Sequence, residues 1–184
     1  SDHVDLDVLR KCSESTIGNN YSVIYRNQRI GYRILRYAYY TSQIRKYTKL
    51  NENDKNIFLD IGGGYGGLSR TLKHFYSKST FVLVELPELS FLANYFLAQC
   101  FPNAKIGTSS DFENKEVITK NDLKQFDFVL INPAYLKYFE KDTVDLSINT
   151  TSLGEMTDKM QKFYVNEIER VTEKYFYSVK KMRY

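Results

Sequence analysis

An apolar strand that runs straight into glycines and out again into a helix leaves a chain few ways to fold. Residues 58–70, "FLDIGGGYGGLSR", have that form. Glycine accepts left-handed turns and carries no Cβ, so backbone amides where the helix opens can approach a ligand that side chains would block. The alternative is a tight glycine turn that holds nothing. Beyond it, short apolar runs ("IFLDI", "TFVLVEL", "FDFVLIN", "VDLSINT", "YFYSV") alternate with longer amphipathic ones ("GLSRTLKHFYS", "ELSFLANYFLAQCF", "DKMQKFYVNEIERVTEKY"). Apolar strands separated by helices make a largely parallel sheet covered on both faces, an α/β, Rossmann-like architecture.

The first 55 residues differ. They are polar and tyrosine-rich, and their apolar positions Ile30, Ile34, Tyr37 and Ala38 recur at helical spacing, with Arg26, Arg29, Arg33 and Arg36 on another face. The expected organisation is therefore a helical extension over 1–55, closed by the linker-like "NENDKN" (51–56), and a Rossmann-like unit over 56–184. A length of 184 residues suits one such unit with an appendage.

Gly62, Gly64 and Gly67 satisfy a G-x-G-x-x-G spacing, a weak signal by itself. Two acids sharpen it. Glu85 closes the second strand, where a carboxylate can accept hydrogen bonds from both hydroxyls of an adenosine ribose, in a nicotinamide dinucleotide or in S-adenosylmethionine alike. Asp60 ends the first strand beside the glycines. A carboxylate there repels a pyrophosphate and suits the cationic amino-acid end of S-adenosylmethionine.

Through "LDIGGGYGG" and "VLVELPE" the sequence resembles the class I S-adenosylmethionine-dependent methyltransferases. "FLDIGGGYGGLSRTL", "LVELPELSFLANYFL", "VDLSINTTSLGEMT" and "VTEKYFYSV", in that order, resemble the sugar O-methyltransferase family found among bacterial surface-polysaccharide genes. The likeness covers residues 57 to 180 and leaves the first 55 outside it. It implies S-adenosyl-L-methionine as cofactor and a sugar, nucleotide-sugar or glycan hydroxyl as acceptor. Asp60, Gly62, Gly63 and Gly64 would hold the amino-acid and sulfonium end and Glu85 the ribose, with Tyr65, Leu86, Asn132, Asn149 and Thr150 completing the cofactor contacts. Sheets of this class normally continue beyond the fifth strand with an antiparallel pair, for which the sequence after "YFYSV" has no counterpart.

"FDFVLINPAY" (126–135) offers a competing reading, because Asn132-Pro133-Ala134-Tyr135 looks like the loop with which amino-methyltransferases grip an amine. That requires "FDFVLIN" to be the fourth strand, whose tip faces the acceptor. In one parse "AKIGTSSD" (104–111) is the third strand, Asp111 borders the adenine, and "VDLSINTTSLGEM" has no place. In the other, "FDFVLIN" is third, "VDLSINT" is fourth, and 106–125 is an irregular or partly helical excursion. The second parse uses both strong apolar runs and agrees with the family likeness. Proline then ends the third strand because it cannot donate to a ladder, and that strand borders the adenine, with Asn132 and Asp111 both open as the contact. N-methylation of a base or protein amine is the second functional reading, and a non-catalytic dinucleotide-binding domain the third.

A hydroxyl acceptor benefits from a base. His3 lies close to the start of the sequence, and His74 flanks the Leu68, Leu72 and Phe75 face of a helix, so Glu155, past the fourth strand, is the candidate. Ser152 followed three residues on by Glu155 also reads as a capping box. Asp158 reads as a helix N-terminal residue. The arginine face is ordinarily a solvated stripe. Its alternative is a clamp on a phosphate or on the diphosphate of an activated sugar, and it is also the sole support for a nucleic-acid partner, which is not expected.

The excess of 26 basic over 22 acidic residues decides nothing about partners. Cys12 and Cys100 have no metal-ligand spacing, so no metal is expected, and Cys100 in an apolar helical pattern reads as a buried thiol. With no disulfide framework, no apolar run of bilayer length and no signal-like segment, the expected compartment is the cytoplasm. An oligomer is compatible with all of this.

Overall fold

The glycine loop sits at the middle of a six-stranded parallel sheet in a computed structural model that describes residues 6–18 and 21–179. Its strands are β3 (Ile57–Ile61), β4 (Thr80–Val84), β5 (Ile106–Thr108), β6 (Phe128–Ile131), β7 (Val144–Thr150) and β8 (Thr172–Val179). Their spatial order is β5-β6-β4-β3-β7-β8, every pairing parallel. The chain passes from β3 to β4, runs out to the edge for β5, returns to fill the slot between β4 and β5 with β6, then crosses to lay β7 on the other flank of β3. Ligands gather at such a reversal, beyond the carboxyl ends of the strands.

This order settles the competition between the apolar runs. β6 pairs with β4 and β7 pairs with β3, so "FDFVLIN" is third and "VDLSINT" fourth in the class I succession. The rejected parse was nonetheless right about one segment. Ile106–Thr108 is a strand, paired with β6 at the sheet edge, and the rest of 106–125 is partly helical as expected, with a 3₁₀ turn (Ser109–Phe112) and α5 (Lys120–Leu123).

Both faces of the sheet are covered, and the period-two alternation of β3 shows how. Ile57, Leu59 and Ile61 point into one apolar layer with Tyr164 and Ile168 of α6 (Asp158–Val171), whereas Phe58 points into the other. That second layer packs α3 (Gly67–Lys73) and α4 (Pro87–Cys100) on the sheet and takes in Val8, Ile34, Ala38 and Ile44 from α1 (Leu6–Lys11) and α2 (Tyr32–Tyr47). Phe58, Tyr76, Phe81 and Phe128 stack at its centre, with Phe58 and Phe81 rings 4.7 Å apart.

Three local expectations fail. The N-terminal segment is not helical throughout: β1 (Val23–Tyr25) and β2 (Gln28–Ile30) form a hairpin before α2 begins. Its turn residues Arg26 and Asn27 have φ of 48° and 60°, the left-handed pair that matches strand twist. The last helix stops at Val171, and "TEKYFYSV" belongs to β8, because β-branched and aromatic residues suit a strand against β7 better than continued helix. Cys100 is half-buried, and Cys12 is the fully buried thiol. Among the described residues no helix is long and apolar enough to cross a membrane. His3 lies outside the described residues.

Candidate functional site

Two adjoining cavities open at the carboxyl ends of the strands, and Glu85 connects them. The first, about 250 Å³, is lined by Asp60, Gly62, Gly63, Gly64, Tyr65 and Leu68 of the loop segment, Thr150 of β7, and Arg33, Arg36 and Tyr37 of α2. The second, about 380 Å³, lies between α4, the turn after β5 and the end of β6, with Glu85, Phe91, Ser109, Leu130 and Asn132 in its wall.

The loop is shaped by its glycines. Gly62 has φ +73° and its backbone lies against Ser152, so a Cβ there would come within 2.4 Å of the serine Cβ and Oγ. Gly64 has φ +56° with open space before it, and its N–H donates to Glu85 Oε2 at 2.9 Å. The other Glu85 oxygen accepts from the Leu86 N–H at 3.0 Å, so the carboxylate is held at the junction of the cavities with the side chain of Leu86 exposed.

Asp60 is 3% exposed. Its Oδ2 accepts from the Ser69 hydroxyl at 3.4 Å, and its Oδ1 has no partner among the described residues. Burial pushes the carboxyl up to about 7, the Ser69 hydrogen bond opposes this, and the neighbouring Glu85 adds to it. An orphaned buried acceptor at the cavity floor is what a ligand ammonium group would satisfy.

Tyr65 packs edge-on to Phe96 at 4.8 Å and to Tyr37 at 6.4 Å. Gly67 permits the second contact, since a Cβ there would meet the Tyr37 ring at 2.4 Å. This close approach of α2 to α3 brings Arg33 and Arg36 over the loop. Burial pushes the Tyr37 hydroxyl well above the usual tyrosine range.

The proposed cofactor contacts thus divide. Asp60, Gly62, Gly63, Gly64, Tyr65 and Thr150 line one cavity, and Glu85 and Asn132 the other. Asn149 is turned inward: 1% exposed, it donates to the Ile61 carbonyl at 3.1 Å and to Ser152 Oγ, tying the end of β7 to the end of β3. Asp111 is exposed and caps its own turn, accepting from the Thr108 N–H at 2.7 Å.

The capping box read from Ser152 and Glu155 does not form. Ser152 gives its hydroxyl to the Ile61 carbonyl at 2.7 Å, and the cap of α6 is Thr157, whose side chain accepts from Met160 N–H at 3.4 Å. Glu155 is exposed in the 3₁₀ turn after β7, without a partner among the described residues and outside the lining of either cavity. Asp158 occupies the first turn of α6 as expected. His74 ends α3 with its ring 5.6 Å from Phe101, and lines neither cavity.

Of the four arginines expected on one helical face, Arg26 and Arg29 belong to the hairpin, where Arg29 donates to Ser22 at 2.9 Å. Arg33 and Arg36, on α2, are the two at the cavity. Sequence periodicity could not single them out, because the hairpin turn that separates the pairs carries no strong sequence mark.

No protein-family model matches the chain, and no curated protein matches it. Solved structures do. One assigned as a sarcosine dimethylglycine methyltransferase from Galdieria sulphuraria aligns over 76% of this chain and 44% of its own, at 17% identity and a TM-score of 0.52. The DszA carbon methyltransferase aligns over 77% of this chain and 32% of its own, at 10% identity and a TM-score of 0.44. The chain spans less than half the length of either. The fold is the Rossmann-like fold of class I methyltransferases.

Proposed function

We propose that the chain is an S-adenosylmethionine-dependent methyltransferase acting on a hydroxyl of a sugar, nucleotide sugar or glycan precursor. The observation that carries the cofactor part is the loop itself: Gly64 N–H bonded to the Glu85 carboxylate, and the buried Asp60 with an unpartnered oxygen, one at each end of a glycine turn. When bound, the cofactor would supply an electrophilic methyl group on a sulfonium. Asp60 would accept from its ammonium, Glu85 would hold the ribose, and the cavity walled by Ser109, Leu130 and Asn132 would take the adenine.

The hydroxyl acceptor rests on the family likeness of "INTTSLGEM" together with the position of its strand. β7 flanks β3, so Thr150 at its tip stands at the cavity next to the glycines. We assign the acceptor base to Glu155 in the turn that follows, as the free carboxylate nearest in sequence to that tip. The amine reading loses its premise, because Asn132 follows the third strand and its side-chain oxygen caps its own turn, accepting from Ala134 N–H at 3.0 Å.

The experiment is calorimetric titration with S-adenosylhomocysteine and NAD side by side. Binding of S-adenosylhomocysteine, weakened by about 1 to 3 kcal/mol in Glu85→Ala through loss of a charge-assisted contact, supports the reading. Tight binding of NAD with no response to S-adenosylhomocysteine ends it.

A further inference from the structure

Two guanidinium groups face the loop cavity without an acid to neutralise them. Several arginines of the chain reach oxygens: Arg45 pairs with Glu52 at 2.7 Å, Arg70 donates to the Ser13 carbonyl at 3.0 Å, and Arg170 holds Glu167 and the Leu136 carbonyl, whereas Arg26 in the hairpin lies over the Tyr25 ring. Arg33 and Arg36 pair with no carboxylate among the described residues. They are stacked instead, Arg33 over Tyr65 at 5.2 Å and Arg36 over Tyr32 and Tyr37 at 5.7 and 5.6 Å. Arg36 also shares a hydrogen bond with the Tyr37 hydroxyl; the remaining in-plane N–H groups of the two guanidiniums, whose planes the rings hold, are suited to gripping a planar or tetrahedral oxyanion. Three residues apart, the two groups lie on one helical face.

The charge count says what kind of molecule belongs there. Arg33 and Arg36 contribute two positive charges, and Asp60 and Glu85 at most two negative ones. A cofactor bearing a sulfonium, an ammonium and a carboxylate adds one net positive charge. The occupied site is therefore positive by at least one charge, and by two when Asp60 holds its proton. The cofactor's own carboxylate is already in that sum, so the excess remains for the other substrate. We propose that Arg33 and Arg36 form an anion subsite for a phosphate or carboxylate group of the acceptor, which makes the acceptor an acidic molecule. This rests on the methyltransferase reading and narrows its substrate class.

Inorganic pyrophosphate is the probe, titrated into protein saturated with S-adenosylmethionine, the form that carries the sulfonium counted above. Wild type should bind it, Arg33→Gln/Arg36→Gln should bind it at least tenfold more weakly, and S-adenosylhomocysteine affinity should stay within about twofold. Both side chains are exposed, so the fold should survive. Arg33→Lys/Arg36→Lys, keeping the charge but not the planar fork, should fall between. Absence of pyrophosphate binding, or equal binding by wild type and the glutamine variant, overturns the subsite. So does a loss confined to S-adenosylhomocysteine, which would give the pair to the cofactor's carboxylate. If wild type fails to bind S-adenosylhomocysteine at all, the methyltransferase reading falls, and the same pyrophosphate comparison on the unliganded protein still decides for or against an anion site.

Discussion

Asp60→Asn separates the cost of burying a carboxyl from its use. The folded protein holds the Asp60 proton up to about pH 7, whereas the unfolded chain releases it near 3.8. Below the lower value both states are protonated and burial of the neutral acid carries no ionisation penalty. As pH rises the unfolded chain ionises first, so the folded state loses stability at about 1.4 kcal/mol per pH unit until the folded group also ionises. From pH 5 to pH 8 this amounts to about 3 kcal/mol. Asparagine cannot ionise, so the stability of Asp60→Asn relative to wild type should rise by about that much over the same interval. Urea denaturation of both proteins at pH 5, 6, 7 and 8 measures the difference and cancels the other titrating groups, which the two share. A difference that stays flat would refute the placement of a partnerless carboxyl in this pocket. Ligand binding should show the reverse dependence: a cofactor ammonium favours the ionised form, so wild-type affinity for S-adenosylhomocysteine should increase with pH through about 7, and that of Asp60→Asn should not.

The two left-handed glycines should respond unequally to alanine. Gly64→Ala meets open space and costs about 1 to 2 kcal/mol of backbone strain, whereas Gly62→Ala adds a collision with Ser152 and its hydrogen bond to the Ile61 carbonyl, for about 2 to 5 kcal/mol in total; equal losses in chemical denaturation would contradict the loop geometry. Glu155→Gln should slow methyl transfer about a hundredfold while leaving stability within about 0.5 kcal/mol and S-adenosylhomocysteine affinity unchanged. Near-normal turnover would remove Glu155 from the reaction. Tyr135→Phe should leave turnover nearly unchanged, because its ring packs on Tyr138 beyond the third strand; loss of transfer with intact cofactor binding would restore the amine reading.

The sheet was legible because fully buried parallel strands must be continuous apolar runs, and each of the four central ones is buried almost along its whole length. Their succession follows from the crossover rule once the run beside β3 is identified, and the strength of "VDLSINT" over "AKIGTSSD" identified it. The edges were less legible. β5 is three residues long, with Ile106 and Thr108 only half-buried, too brief for a periodic signal. β8 alternates exposed and half-buried residues after a helix with which it shares a continuous run of charged and aromatic residues, so only pairing with β7 marks where one ends and the other begins.

At the site, composition identified the groups that must be where they are for backbone reasons and missed those placed by packing. Asp60, the glycines and Glu85 follow from strand ends and a turn, which are local properties. Asn149 shows the limit of that logic. A polar residue at the tip of the strand beside the glycines looks free to meet a ligand, yet both of its amide donors and its oxygen are used within the fold, holding Ile61, Ser152 and Leu153. Arg33 and Arg36 show the converse. Nothing local distinguishes them from Arg26 and Arg29, and their role depends on Gly67 admitting the Tyr37 ring so that α2 can close down on α3. A side chain larger than hydrogen at position 67 would collide with the Tyr37 ring and the Tyr65 hydroxyl, disturbing the packing that holds α2 beside the loop. The glycine that ends the G-x-G-x-x-G spacing therefore acts on the ligand site at second hand, by fixing how near a separate helix can come.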